Sequence, residues 1–166
     1  MTVIALRPGG IADLDAVVEV FLDCWRSTYA GRLPDALLAS MTDDAAHALW
    51  SRALTTPGRQ VALAESDEQV CGVVGFEASG EDGWVHSLYV SPSAQGQGVG
   101  STLLGHASDR LQEAGCLRAR LWVFADNSPS IAFYVRHGWT PDGAERVEEA
   151  FGEKEIRLSR SWKVMP

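Results

Sequence analysis

The stretch WVHSLYVSPSAQGQGVGSTLL, residues 84–104, decides the fold of this chain. Its β-branched and aromatic start predicts a strand, glycines then predict a tight turn, and apolar residues three and four apart predict a helix. Glycines let the backbone approach an anion closely, and the unpaired amides of a helix's first turn favour negative charge. The stretch therefore predicts a phosphate or pyrophosphate site where a strand, a loop and a helix meet.

Two common phosphate-binding loops do not fit this stretch. A P-loop needs a lysine after its glycines, but here the helix continues through Val99, Gly100 and Ser101 without one. A dinucleotide-binding loop needs the spacing GxGxxG, whereas residues 96–101 carry glycine at every second position and lack the last one. The pattern thus favours neither a nucleotide-dependent kinase or hydrolase nor a dinucleotide-binding enzyme.

The hydrophobic periodicity around this stretch alternates between the periods of strands and of helices. Strands are predicted at residues 3–6, 61–64, 70–76, 84–90, 118–124 and 155–162. Helices are predicted over residues 14–25, from near Pro34, after a cap at Thr42, over residues 103–111 to near Gly115, and from a cap at Ser128 to Gly138. This order predicts a single mixed α/β domain spanning residues 1–166.

The composition excludes several classes of protein. The chain has 14 basic and 22 acidic residues, a net charge of -8, so it lacks the basic footprint of a nucleic-acid-binding protein. Cys24, Cys71 and Cys116 lie far apart and form no CxxC pair, so neither a disulfide framework nor a metal site is expected. The sequence has no signal-peptide pattern at its start and no apolar run of roughly 20 residues, so we expect a soluble, cytoplasmic protein away from membranes.

Two blocks of the sequence resemble the GNAT superfamily of N-acetyltransferases. Residues 95–100 are similar to its Gln/Arg-x-x-Gly-x-Gly/Ala signature, and residues 127–139 are similar to its Asn…Phe-Tyr…Gly-Phe block. The second block departs at Ser130, where alanine is usual, and at Trp139, which replaces phenylalanine. The resemblance implies a GNAT-like α+β fold with a central, mostly antiparallel sheet of about six or seven strands and flanking helices. It also implies acetyl-CoA as co-substrate and no metal.

The resemblance assigns the cofactor contacts to the two blocks. It implies that the amides of Gln97, Gly98, Val99 and Gly100 bind the pyrophosphate of CoA, with Gln95 and Ser101 in the same site. The preceding strand would diverge from its neighbour, and its backbone at Leu88 and Val90 would pair with pantetheine. Asn127 would hold pantetheine or a water molecule, and it can equally cap the following helix.

The resemblance also suggests the catalytic residues. Tyr134 would be the general acid that protonates the departing thiolate, the alternative being a ring packed in the core. His86, with an ordinary pKa near 6.5, is suited to deprotonate the amine, although a structural strand histidine is an equal alternative. Other family members use a glutamate where this chain has Trp84, and a water chain can serve instead. Further candidates for the base are Glu81, Asp82 and Asp126.

The string WRSTYAGRLP, residues 25–34, resembles the acceptor wall of many small bacterial GNAT enzymes and suggests Tyr29 and Trp25 as substrate-binding residues, although Trp25 also completes a core stripe. The acidic residues 142–152 are expected to form a loop over the same pocket, either attracting a polyamine or simply solvated.

The favoured activity is acetyl transfer to the primary amine of a small molecule by direct attack in a ternary complex. Alternatives are a protein N-terminal or lysine acetyltransferase and a non-catalytic acyl-CoA-binding sensor. A homodimer is expected from the resemblance.

Overall fold

One continuous sheet of seven strands organises the chain. The computed structural model describes residues 3–149 and 151–162. The strands are β1 (Ala5–Pro8), β2 (Gln60–Ser66), β3 (Gln69–Ser79), β4 (Asp82–Val90), β5 (Arg118–Phe124), β6 (Thr140–Glu148) and β7 (Glu153–Ser161). Their order is β1-β2-β3-β4-β5-β7-β6, and every neighbouring pair is antiparallel except β4 with β5. The predicted mostly antiparallel sheet with flanking helices is confirmed.

Helices cover both faces of this sheet. They are α1 (Leu14–Thr28), α2 (Asp35–Ser40), α3 (Asp43–Thr55), α4 (Val99–Glu113) and α5 (Ser128–Arg136). The apolar stripe of α1, which includes Phe21 and Trp25, packs with Trp50 of α3 against one face. Leu103 and Leu111 of α4 pack against the opposite face. The sheet therefore separates two apolar cores, and its two faces carry different helices.

One of the two predicted helix caps is confirmed, and the other lies one residue away from its predicted position. Thr42 caps α3, its hydroxyl accepting a hydrogen bond from the amide of Ala45 at 3.1 Å. The cap of α5, however, is Asn127 and not Ser128, because the Asn127 side chain accepts from the amide of Ser130 at 3.3 Å. Ser128 is the first residue of the helix, so the cap lies one residue earlier than predicted.

Three strand predictions need correction. The first strand begins at Ala5 and not at residue 3, and the last begins at Glu153. Most of the expected loop at 142–152 is part of β6, which pairs with β7 across an irregularity between Pro141 and Glu145. Hydrogen bonds from Ser159 and Arg157 hold Asp142 there; burial alone would raise the pKa of this carboxyl, but these bonds outweigh it and lower the pKa to about 2. Hydrogen bonding to β7 therefore makes a strand of residues that were predicted to form a loop.

Two irregularities of β4 shape the centre of the molecule. Gly75 pairs with Ser87 and Phe76 with Val85, so His86 is the extra residue of a β-bulge. The bulge shifts the alternation of side chains, so that Val85 and Leu88 both face the α4 side of the sheet. In addition, only residues 82–84 of β4 pair with β5. The two strands diverge beyond that point and leave a cleft in the middle of the sheet.

Candidate active site

Two cavities meet at the cleft between β4 and β5. The first, of about 860 Å³, lies against the glycine-rich loop before α4, and we call it the glycine-loop cavity. The second, of about 530 Å³, lies between β4, β5, α1 and α3, and we call it the aromatic cavity. Four residues line both cavities, namely Leu88, Asn127, Ser130 and Tyr134. The two cavities are therefore adjacent, with Tyr134 at their junction.

The N-terminus of α4 forms the base of the glycine-loop cavity. Gly96 and Gly98 have φ of 78° and 83°, a left-handed conformation that other residues rarely adopt. Gly98 is the N-cap of α4, and the first amide to bond back to it is that of Thr102. Within the described chain, the amides from Val99 to Ser101 have no backbone acceptor. The cavity thus has a cluster of free N–H donors at the positive end of a helix dipole, which fits a pyrophosphate.

The structure brings most of the predicted cofactor residues to this cavity. Those that line it are Leu88, Val90, Gln95, Gly98, Val99, Gly100, Ser101 and Asn127. Gln97 does not line it; its side chain instead donates to the carbonyl of Ser93 at 3.4 Å. The side chains of Gln95 and Cys24 donate to the carbonyl of Val90 at 3.1 Å and 2.9 Å. These bonds tie the loop and α1 to the end of β4.

Three cationic or titratable residues of this cavity were missed by the sequence analysis, namely Arg32, Arg136 and His137. The Nδ1 of His137 lies 2.7 Å from the carbonyl of Phe133 and donates to it, and its Nε2 is hydrogen-bonded to the Ser101 hydroxyl at 2.8 Å. This bond joins the C-terminus of α5 to the first turn of α4. The only sequence signal for it was a histidine next to the helix-ending Gly138.

Tyr134 lies at the junction with a half-buried ring. Burial raises the pKa of Tyr134 well above its usual value, so the hydroxyl keeps its proton at neutral pH. Its hydroxyl forms no hydrogen bond with any residue that the structure describes. An intact, unengaged O–H at the meeting point of two cavities is suited to donate a proton.

Asn127 connects this junction to the loop after α1. Its side chain is buried, with 4% exposure, and its oxygen accepts from Arg32 at 3.4 Å as well as from the α5 amide. Burial raises the pKa of the Tyr29 phenol, in the neighbouring wall, to about 12. Asn127 therefore caps α5 and holds Arg32 of the glycine-loop cavity at the same time.

Aromatic side chains form much of the aromatic cavity. They are Phe21, Trp25, Tyr29, Trp50, Tyr89, Trp122, Phe124, Tyr134 and Phe151. Trp25 is only 2% exposed and packs edge-to-face on Tyr29, with ring centroids 5.1 Å apart. Both predicted substrate-binding residues line the cavity, but Trp25 is chiefly a core residue that supports Tyr29.

His86 reaches the aromatic cavity because of the β4 bulge. Its side chain is 30% exposed, and its Nε2 lies 3.2 Å from a carboxylate oxygen of Glu77. Burial lowers the pKa of His86, nearby Arg59 and Arg146 lower it further, and Glu77 opposes them. The imidazole is therefore neutral at pH 7, with Nε2–H donating to Glu77 and Nδ1 left as an acceptor. The alternative bases Glu81, Asp82 and Asp126 do not line this cavity.

The aromatic cavity also holds charged residues that the sequence analysis missed. Glu155 of β7 is 8% exposed and accepts a hydrogen bond from Nε of Arg146 at 2.9 Å. Burial raises the pKa of Glu155, which the guanidinium opposes. Arg146 also pairs with Glu148 at 3.2 Å and lies 4.4 Å from the centre of the Trp122 ring. The alternation of residues in the last strand could have shown that Glu155 lies on the opposite face from the core residues Ile156 and Leu158. It could not have predicted that Glu155 pairs with Arg146.

The described residues form neither a metal-binding cluster nor a membrane-spanning helix. Among residues 3–149 and 151–162, no group of three or more histidine, cysteine, aspartate or glutamate side chains is arranged to hold a metal ion. No helix in the same ranges is both long and apolar enough to cross a bilayer. Cys24, Cys71 and Cys116 are buried and free.

Comparison with known proteins agrees with this geometry. Residues 14–139 match the profile of the family described as "Acetyltransferase (GNAT) family". An uncharacterised N-acetyltransferase of Bacillus subtilis, YuaI, is 30% identical over 88% of this chain and 83% of its own length. The spermidine N(1)-acetyltransferase of Thermoplasma acidophilum is 25% identical over 88% of this chain and 96% of its own. The crystal structure of the PaiA N-acetyltransferase from Thermoplasma acidophilum with coenzyme A superposes with a TM-score of 0.80, at 21% identity, over 96% of this chain and 99% of that one.

Proposed function

This chain belongs to the GNAT family of N-acetyltransferases, and from that premise we propose that it transfers an acetyl group from acetyl-CoA to the primary amine of a small molecule. The observation that carries the proposal is the contact between the two cavities. One has an anion site at the α4 N-terminus, the other has aromatic walls, and Tyr134 lines both. A cofactor and an acceptor held in separate cavities would meet beside this phenol, as direct transfer in a ternary complex requires.

The glycine-loop cavity fits acetyl-CoA by its donors and its shape. The free amides of residues 99–101 would hold the pyrophosphate, and Arg32 and Arg136 add positive charge to the same cavity. The divergence of β5 from β4 leaves space beside Leu88 and Val90 for an extended arm. Bound acetyl-CoA would supply an activated thioester; binding and orientation would come from these residues.

Two side chains that line the aromatic cavity, His86 and Tyr134, can supply the proton transfers. His86, neutral at pH 7, would take a proton from the ammonium of the acceptor at Nδ1, through an intervening water molecule. The amine nitrogen then attacks the thioester carbonyl, the new C–N bond forms and the C–S bond breaks. The Tyr134 hydroxyl would donate its proton to the departing sulfur, which leaves as the CoA thiol. The new amide nitrogen would release its second proton, and the phenolate would take up a proton through solvent, which restores the phenol.

The size and walls of the aromatic cavity support a small acceptor. Its volume of about 530 Å³ lies within the range of small-molecule sites. The Thermoplasma acidophilum relative is named for spermidine, a small amine. A protein N-terminus or a lysine side chain would instead need an open groove for the flanking chain.

The test is an assay of CoA thiol release from acetyl-CoA with small primary amines and, in parallel, with peptides that have a free N-terminus or a lysine. We expect amine-dependent release, and an acetylated small amine identified by mass. The matched control is Arg110→Gln, which removes a surface ion pair of α4 with Glu113 and should leave the rate unchanged. Preference for the peptides would instead support a protein acetyltransferase. Binding of acetyl-CoA without release by any amine would support the sensor alternative.

A further inference from the structure

Arg59 is a cation of the aromatic cavity whose guanidinium forms no hydrogen bond with any residue that the structure describes. It follows α3 and lines the cavity, with a side chain that is 26% exposed. Its Nε is buried and has no hydrogen-bond acceptor among the described residues. Its nearest charge is an oxygen of Glu77 at 3.9 Å from Nη2, beyond hydrogen-bond distance. A guanidinium presents five donors, so Arg59 has unused capacity to bind anionic oxygens.

The other charges of the cavity do not satisfy Arg59. Glu148 and Glu155 both pair with Arg146. The Glu77 oxygen nearest to Arg59 is the one that accepts from His86. A second arginine, Arg52 on α3, lines the same cavity, is exposed, and has no ion pair or side-chain hydrogen bond within the described ranges. The carboxylates near this part of the cavity thus have partners, whereas the guanidinium groups of Arg59 and Arg52 form no hydrogen bond with a described carboxylate.

We infer that the acceptor is a primary amine whose far end carries a carboxylate, and that Arg59 binds this carboxylate. The inference rests on the proposed function. The reacting nitrogen would lie at the junction beside Leu88 and Tyr134, where the cavities meet. Arg59 lies beside His86, since both contact the same oxygen of Glu77, and His86 is two residues before Leu88 along β4.

This spacing sets the length of the acceptor. Two residues of strand span about 7 Å, so nitrogen and carboxylate should be separated by a chain of roughly that length. A guanidinium and a carboxylate can form two parallel hydrogen bonds, which fixes the orientation of the acceptor as well as its affinity. The aromatic walls would cover the methylene groups between its two polar ends. A diamine of equal length would place a second ammonium beside Arg59 and Arg52, where like charges repel.

The experiment compares three acceptors of matched length: 6-aminohexanoate, 1,6-diaminohexane and hexylamine. They share an amine on five methylene groups and differ in the group at the far end, which is a carboxylate, a CH2NH3+ group or a methyl group. Assays at pH 8.5 keep His86 neutral, because burial, the largest influence that lowers its pKa from the ordinary value of about 6.5, remains when Arg59 is replaced. We expect 6-aminohexanoate to have the highest kcat/KM and the diamine the lowest.

The variant Arg59→Gln should lower kcat/KM for 6-aminohexanoate by about 10- to 100-fold, because it removes a charge-assisted hydrogen-bonded pair. The kcat/KM for hexylamine, which has no carboxylate, should change by less than about 3-fold. Arg59→Lys should restore part of the loss, because it keeps the charge without the fork. Arg52→Gln should have a smaller effect, and Arg110→Gln none. A wild-type preference for the diamine, or an equal loss for all three acceptors in Arg59→Gln, would overturn the inference.

A binding measurement separates this inference from the proposed function. Calorimetry of 6-acetamidohexanoate with the CoA-bound protein needs no turnover. Binding that weakens about 10-fold or more in Arg59→Gln supports the anion site even if no amine is acetylated, in which case only the proposed catalysis fails. Binding that is unaffected by Arg59→Gln, alongside active acetylation of other amines, overturns the anion site and leaves the proposed function standing.

Discussion

The Tyr134 hydroxyl has a single chemical task in the proposed reaction. Tyr134→Phe keeps the ring that packs beside Phe133 and Trp139 but removes the proton donor. We expect kcat to fall about 100-fold or more, because general acid catalysis typically contributes at least that factor. The dissociation constant of acetyl-CoA should change by less than about 3-fold. Unchanged kcat would exclude Tyr134 as the acid.

His86 should set the acidic limb of the pH profile. Burial lowers the pKa of His86, so the wild type should retain its base, and its activity, to below pH 6.5. His86→Ala should cost about 10- to 100-fold at pH 7, and less as the pH approaches the ordinary pKa of an alkylamine, about 10, where the acceptor arrives neutral. The measurement is kcat/KM from pH 5.5 to 9.5.

Glu77→Gln is the matched variant for this test. The Glu77 carboxylate raises the pKa of His86, against burial, Arg59 and Arg146. Its removal should move the acidic limb to still lower pH while the plateau stays within about 3-fold. Profiles of His86→Ala and wild type that coincide would assign the proton transfer to water, and Glu77→Gln would then have no effect on the limb.

At the scale of elements, Gly72 of β3 controls how closely α4 approaches the sheet. A Cβ atom on Gly72 would lie 2.8 Å from Leu103 Cδ1 and 2.9 Å from Val99 Cγ1, both closer than van der Waals contact. Both residues are buried, and Val99 is the first residue of α4. An added methyl group must therefore displace the end of the helix that forms the anion site.

We expect Gly72→Ala to lower the free energy of unfolding by about 1–3 kcal/mol, as overpacking does, and to weaken acetyl-CoA binding about 10-fold. The control is Gly105→Ala in the same helix, where a Cβ atom meets nothing within 4 Å. That change should stabilise the protein by up to about 1 kcal/mol and leave binding unchanged. Denaturant unfolding and calorimetry give both quantities, and equal effects of the two variants would contradict the packing argument.

At the scale of the whole molecule, the glycine-loop cavity draws its walls from α1, β4, α4 and α5, so its ligand should stabilise the fold globally. Acetyl-CoA at about 100 times its dissociation constant adds about 2.7 kcal/mol, which for a chain of this size raises Tm by roughly 5–10 °C. ATP and NAD are the controls, and neither should produce this shift. The absence of a shift with acetyl-CoA would contradict the assignment of the cavity.

The sequence by itself determined the features that depend on local chemistry. The glycines at 96, 98 and 100, the strand before them and the apolar stripe of α4 lie within one stretch, so backbone conformation and periodicity identify the loop and its helix. The same holds for the apolar stripe of α1. The blocks around Gly98 and Tyr134 were sufficient to identify the family, which is confirmed.

Only the tertiary structure decided the features that depend on partners distant in the chain. Residues 142–148 belong to the acidic segment 142–152 that was predicted to be a loop, yet pairing with β7 makes them part of β6. His86 enters the cavity through a bulge whose existence depends on the register with β3. The guanidinium of Arg59 has no hydrogen-bonded carboxylate among the described residues because the nearby Glu77 oxygen accepts from His86. Pairing, register and charge balance arise from contacts between distant segments, which local sequence does not encode.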